Sequence, residues 1–455
     1  MCRRGAVRYL VVVCSVVLAS PTASGSGAEE PQALISASPD ENGTDRFRIM
    51  AEVKLHLRDS AAVEVKDAFP FPPDFIPPGQ DGVYLRTPDA GTSLDISNLA
   101  LIGEADLTPD IKGRVRVHIL DLYNRNPTSS DDRIALREAW VQFGHRYDPL
   151  KATPRSSFYA LLGKAPRFNR QTTRRLESYG LWGTAVGRLE QVQLQLGGST
   201  GKAVYWRVHL ANGNPVFFRD PNALAGDNGT PERVPGAVDP IYQSGFPILY
   251  DTKAGDVSGR FEGGAGLGVR VLGADEKTGI DVLGWYFSRR LADRARIQGT
   301  YYGGEIELLQ GAGISLPITS RDKKERGLNA EGKWRGMHVF AQYIRQDIAG
   351  LVRDGVEIET AYRLPINGLF ALGDSPLFNW IQPAFRYSTI DNKFEAPVQF
   401  VAPSVAWDWD KYDIGVRVGV YPGIDVTAEY ARNEMHTRAG PKHPDELLVT
   451  LRAAF

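Results

Sequence analysis

Cysteine is nearly missing from this chain. Its only two, Cys2 and Cys14, lie in a stretch that reads as an export signal. There Arg3, Arg4 and Arg8 precede the apolar run "LVVVCSVVLA", and small residues lead to "SGA" at 26–28, so cleavage is expected after Ala28. The mature protein is then expected to lack cysteine, which excludes disulfide scaffolds, thiolate metal sites and cysteine nucleophiles. Histidines fall at 56, 118, 145, 209, 338, 436 and 443, with no pair at helical metal-ligand spacing. No metal and no other cofactor is expected.

An excess of charge of one sign is also missing. Without the three signal arginines, 50 basic residues face 54 acidic ones, a net charge of −4, which gives no basic field for nucleic acid. After the signal no apolar run approaches the ~20 residues of a membrane helix. The sequence holds no "GxSxG" nucleophile elbow, and the glycines of "GGAGLGVR" (263–270) do not have dinucleotide-loop spacing. No catalytic residues, and no enzyme, are expected.

What the chain has is alternation. In "RFRIMAEVKLHLRD" (46–59), Phe47, Ile49, Ala51, Val53, Leu55 and Leu57 are apolar, whereas Arg46, Arg48, Glu52, Lys54, His56 and Arg58 are not. A period of two is an extended strand whose faces meet different surroundings. In "RVRVHIL", Val115, Val117 and Ile119 oppose Arg114, Arg116 and His118. In "AVYWRVHL", Val204, Trp206, Val208 and Leu210 oppose Tyr205, Arg207 and His209. A soluble sandwich turns its apolar faces to a core, whereas a membrane barrel turns them to lipid and its charges to a watery lumen.

Connections separate the two architectures. Long ones fall at 59–92, 165–183, 212–258, 291–325, 391–410 and 436–444, and tight reversals lie between them. The first includes "DAFPFPPDFIPPGQDG" (67–82), too proline-rich for a central strand and suited to an external lid. Such sorting fits an up-and-down barrel with short turns on one rim and long loops on the other. The chain ends in "LLVTLRAAF", an alternating strand with Phe455 last, which looks like the signal read by the outer-membrane barrel assembly machinery. The fold class expected is all-β: a transmembrane antiparallel up-and-down barrel of about 16 strands spanning 46–455. Ahead of it come the signal (1–28) and a short periplasmic segment (29–45). Of seventeen candidate strands "QGTYYGGEIELLQ" (298–310) is assigned to a loop, and eighteen result if "VQFVAPSVAW" (398–407) also pairs.

In order and spacing, "RFRIMAEVKLHLR", "NLALIGEADL", "REAWVQFG", "LLGKAPRFNR" and "YDIGVRVGVYPGIDVTAEYARNE" resemble the phosphate-selective porin family, the porin O and P type. The resemblance covers essentially the whole mature chain. It implies a trimeric sixteen-stranded barrel in the outer membrane whose third external loop folds into the pore, with Lys54 at an inward basic position. Two departures stand out: Gln171 replaces an acidic residue usual in that loop, and Arg417 and Gly419 replace bulky side chains in a late hairpin.

On that frame Arg48, Lys54, Arg58, Arg114, Arg116 and Arg207 face the lumen, and "KAPRFNRQTTRR" (164–175) carries Lys164, Arg167, Arg170, Arg174 and Arg175 into it. Arginine forks suit carboxylate and phosphate oxygens, and rings of Arg or Lys are the usual device of an anion pore. The expected function is passive diffusion of small solutes with anion preference, phosphate being one candidate solute and phosphate specificity not part of the expectation. The expected partners are small anions, the outer-membrane bilayer and two further copies in a homotrimer. A second reading of the same bases stays open, in which they pair with loop acids and only solvate the lumen. Alternatives from other classes are a secreted carbohydrate-binding β-sandwich and a barrel lipase or protease.

Overall fold

The computed structural model describes residues 35–39, 45–66, 84–86, 90–121, 134–145, 156–171, 173–183, 190–213, 216–219, 247–251, 261–273, 278–291, 295–297, 313, 316–366, 370–373, 375–396 and 406–455. Sixteen long strands make the wall. The first half comprises β1 (Asp45–Ser60), β2 (Gly91–Thr108), β3 (Ile111–Asp121), β4 (Ala135–Gly144), β5 (Ser156–Pro166), β6 (Glu190–Thr200), β7 (Val204–Ala211) and β8 (Glu262–Leu272). The second comprises β9 (Thr278–Arg290), β10 (Asp322–Trp334), β11 (Met337–Ile348), β12 (Leu351–Tyr362), β13 (Trp380–Asn392), β14 (Asp408–Tyr421), β15 (Ile424–Thr437) and β16 (Glu446–Ala454).

Each strand pairs antiparallel with its neighbour in sequence, and β1 pairs with β16 over Glu52–Ser60 and Glu446–Ala454, so the sheet closes. The last residue completes the seam: Phe455 exchanges backbone hydrogen bonds with Ala51 at 2.6 and 3.0 Å. Beyond the end of β16 the same edge of β1 is taken by Ile35–Pro39, paired with Asp45–Ile49. The segments 298–310 and 398–405, on which the higher strand counts turn, lie outside the described residues, as does the signal.

Burial is inverted relative to a soluble protein. Along β7, Val204, Trp206, Val208 and Leu210 are 42, 37, 44 and 48% exposed, while Tyr205, Arg207 and His209 are 1, 4 and 1% exposed. The same holds around the wall, where buried polar and charged side chains outnumber buried hydrophobic ones. An apolar exterior around a polar interior is the arrangement of a barrel set in lipid, and a sandwich with its apolar faces packed together does not form. Outward aromatics near the short turns include Phe143, Phe158, Trp206, Trp334 and Tyr362, while Tyr286 and Tyr412 stand nearer the long loops.

The connections sort as expected with three exceptions, one of them the eleven-residue connection 145–155 between β4 and β5 on the short-turn rim. β11 and β12 meet at a tight turn at Ala349 (φ 58°) and Gly350 on the long-loop rim. On the opposite rim 363–379 is long and contains a small hairpin, Phe370–Leu372 against Ser375–Leu377.

Candidate pore constriction

Residues 167–171 and 173–183, between β5 and β6, lie inside the barrel, because their polar groups meet inward-facing side chains from strands far away in sequence. At the stem, Arg167 donates through Nη2 to both carboxylate oxygens of Glu262 (2.6 Å each) and through Nη1 to Glu325 (2.5 Å). Lys323 reaches Glu262 at 3.0 Å and Glu325 at 3.6 Å. Burial alone would lower the Arg167 pKa, but the two carboxylates hold it above the usual arginine value. The Arg167 guanidinium stacks 4.6 Å over Phe287, and Phe287 packs against Phe168 and His209 at 4.9 and 5.2 Å. Arg170 then binds Glu190 at 2.8 Å, a carboxylate that Arg137 holds at 2.9 Å.

The far part of the loop is tied to the opposite wall. Glu429 accepts hydrogen bonds from the backbone N–H groups of Glu177 and Ser178 at 3.0 and 2.7 Å. Arg386 donates to the Ser178 carbonyl and hydroxyl (2.9 and 2.6 Å), and also to Asp413 and Glu359 (2.9 and 3.3 Å). Lys411 donates to the Tyr179 carbonyl, and the Trp182 indole donates to the Thr389 carbonyl. Two glycines stand at this approach: a Cβ on Gly180 would meet the Glu357 carboxylate at 2.0 Å, and one on Gly355 would meet the Thr389 carbonyl oxygen at 1.9 Å and the Trp182 indole nitrogen at 2.9 Å. Gln171, where the resembled family has an acid, donates to Glu359 at 3.1 Å.

Beside the loop lies a cavity of about 670 Å³. Its lining holds twelve Arg and Lys against six Asp and Glu, the opposite sign from the chain as a whole. Of the bases singled out in the sequence, Lys54, Arg114, Arg116, Arg167, Arg170, Arg174, Arg175 and Arg207 line it. Arg48, Arg58 and Lys164 do not. Arg48 pairs with Glu104 (2.9 Å), and Arg58 is buried against Glu446 (2.7 Å). Four lining bases were not among those expected to line the pore: Arg137, Arg363, Arg452 and Arg417, the last noted in the sequence only as a departure from the resembled family. Arg452 alternates with Leu451 and Ala453, so the phase of the last strand would have found it. Arg137 sits at a register shift between β3 and β4, where alternation fails.

The bases differ in what they touch. Lys54 reaches across to the loop and binds Glu177 at 2.6 Å. Burial would raise the Glu177 pKa, but Lys54, Arg417 and Arg174 together hold it well below the usual carboxylate value. Arg174 lies 3.4 Å over the Tyr179 ring and donates to the carbonyls of Glu177 and Ser178. Arg175 is different: among the described residues its guanidinium forms no hydrogen bond or ion pair, although its backbone N–H donates to Glu359 at 2.9 Å. Burial, with Arg417 and Arg363 nearby, pulls its pKa below the usual arginine value against the opposing pull of Glu359.

No family model matches this chain, and no curated protein does. Solved structures match in fold. The outer-membrane channel DcaP of Acinetobacter baumannii superposes with a TM-score of 0.51 at 11% identity, covering 92% of this chain and 100% of the other. OprB of Pseudomonas putida gives a TM-score of 0.51 at 10% identity, covering 93% of this chain and all of that one. At these identities the likeness is one of fold: this chain has a porin-type barrel.

Proposed function

We propose that the protein is an outer-membrane porin through which small solutes diffuse passively, with preference for anions. The observation that carries this reading is the two-to-one excess of basic over acidic side chains around the cavity beside an inward-folded loop. A cationic lining in a narrow, weakly screened passage raises the local anion concentration and repels cations. Arg175 adds donors not already taken by a carboxylate, so a passing anion can touch them. Phosphate is one anion that arginine forks suit, and it belongs to this reading as a solute to be tried rather than a committed substrate.

Export by the signal at 1–28, assembly through Phe455 and association as a homotrimer complete the proposal. Phe455 is 43% exposed at the closing seam, where a terminal ring remains open to the assembly machinery. Protein reconstituted in a planar bilayer should give discrete conductance steps, and a potassium chloride gradient should give a reversal potential of the anion-preferring sign. Cation preference would return the lining arginines to plain lumen solvation. Cross-linking in mild detergent should reach trimer and stop there, and a ladder ending at monomer would remove the trimer.

A further inference from the structure

On the outer wall, toward the long-loop rim, two arginines face one another across β10 and β11. Arg326 and Arg345 are direct cross-strand partners. Both point outward, because their neighbours Glu325, Ile344 and Gln346 point inward and are buried. Like charges in this relation repel at Cβ separations of ~5 Å. A cation on the lipid-facing side of a barrel costs more the nearer it lies to mid-membrane, and least at the interface.

The surrounding charges compensate all but one of the group. Arg345 is paired with Asp354 at 3.1 Å, and Lys393 reaches the same carboxylate at 3.7 Å. Lys324, on the same face of β10, pairs with Asp322 at 3.3 Å, and Asp347 stands across from it in register. Arg326 is exposed and forms no ion pair or side-chain hydrogen bond among the described residues. On its other side its register partner is Tyr286, 44% exposed, and below it Leu328 and Tyr343 are 50 and 43% exposed. An open guanidinium thus stands with two further cations beside it and exposed apolar side chains below it on the same outer wall.

We infer that Arg326, with Arg345 and Lys324 beside it, forms a surface site for the phosphate of an anionic lipid whose acyl chains lie against Leu328 and Tyr343. The inference rests on the reading of the chain as an outer-membrane barrel with its long loops outward. An inorganic phosphate would gain only the donors. A lipid gains the donors and the apolar wall below them, and this decides for the lipid.

The test is native mass spectrometry of the full mature protein in detergent, titrated with dioleoyl phosphatidic acid and, as reference, dioleoyl phosphatidylcholine. The wild type should retain phosphatidic acid preferentially. Arg326→Gln should weaken that retention about fivefold, the factor for one basic residue at a lipid surface, and Arg326→Lys should restore part of it. Arg432→Gln, an outward arginine on β15, should change nothing. Equal retention of the two lipids by the wild type, which needs no variant to fold, would overturn the site. So would unchanged retention in Arg326→Gln, or displacement of the lipid by inorganic phosphate at equal concentration. Bilayer conductance is read separately: conducting protein without lipid preference sinks this site alone, whereas loss of the porin reading shows as absent conductance.

Discussion

Arg167 and Arg175 stand on one loop in opposite circumstances. Arg167 is held by two buried carboxylates and an aromatic face, so its donors are spent on fixing the stem. Arg175 lines the cavity with its guanidinium unengaged among the described residues. Arg386, fully buried and bound to Ser178, Asp413 and Glu359, belongs with Arg167, and the cavity-lining Arg114 and Arg116 stand between the two cases, half-buried yet paired with Glu104 at 2.7 Å and Glu52 at 3.4 Å. A count of arginines therefore does not measure a pore's attraction for anions. Some arginines hold the constriction in place, and others face the solute.

The strongest way to break this division is at an anchor. Arg386→Ala should destabilise the barrel by about 3–5 kcal/mol, because Asp413 and Glu359 are left buried without their cation. The measure is the temperature at which the folded band is lost in unheated-versus-heated electrophoresis. Channels that survive should conduct more and flicker, since the loop loses its tie at Ser178. Unchanged stability and conductance would mean that Arg386 anchors nothing.

Acid should act on the loop through Glu177. Its folded-state pKa lies well below the ordinary carboxylate value, so its contribution is fully present above that ordinary value and is lost as pH falls through the depressed one. Conductance should be steady from neutral pH down to the ordinary carboxylate range, and below it the loop should loosen. Glu177→Gln should flatten that part of the acid response. A loosening already complete near neutral pH would contradict the assignment.

The barrel was legible in the sequence because alternation is local. The phases of β1, β3 and β7 are complete within a few residues, and each turned out with its charges inward. The partners of the loop were not legible, since Arg167 binds across separations of 95 and 158 residues and Glu177 meets Glu429 across 252. Inward acids are legible on some strands and hidden on others for a related reason. Glu52, Asp425 and Glu429 lie on clearly phased strands, whereas Glu262, Glu325, Glu357 and Glu359 lie on β8, β10 and β12, where glycines and exposed charges blur the pattern. Those hidden acids are what turn Arg167 into an anchor.

Selectivity should respond most to Arg175. Replacing Arg170, Arg174 and Arg175 together by Gln should move the reversal potential away from anion preference, and Arg175→Gln alone should give the larger share. Its loss removes both a charge and free donors, and a unit charge at about 4 Å in a water-like medium is worth ~1 kcal/mol, or about fivefold in permeability ratio. Arg170→Gln should do less, because Glu190 already takes that side chain's donors and keeps Arg137. Equal effects from the two would mean that only long-range charge matters.

The smallest effect sharpens the comparison furthest. Lys54 and Glu177 form a pair that bridges wall and loop at 2.6 Å, so each single change alters the cavity charge by one unit in opposite directions. Lys54→Gln should shift the reversal potential modestly away from anions, and Glu177→Gln should shift it toward them. The double variant removes one charge of each sign at nearly one place, and its selectivity should fall within about twofold of wild type, as screening of a compact neutral pair implies. Its stability should be lower, since the loop also loses its tie to β1. Selectivity that collapses with the pair would mean that Lys54 meets solutes directly, which places it with Arg175. Selectivity that returns while stability falls keeps it with Arg167 and Arg386, among the residues that hold the constriction.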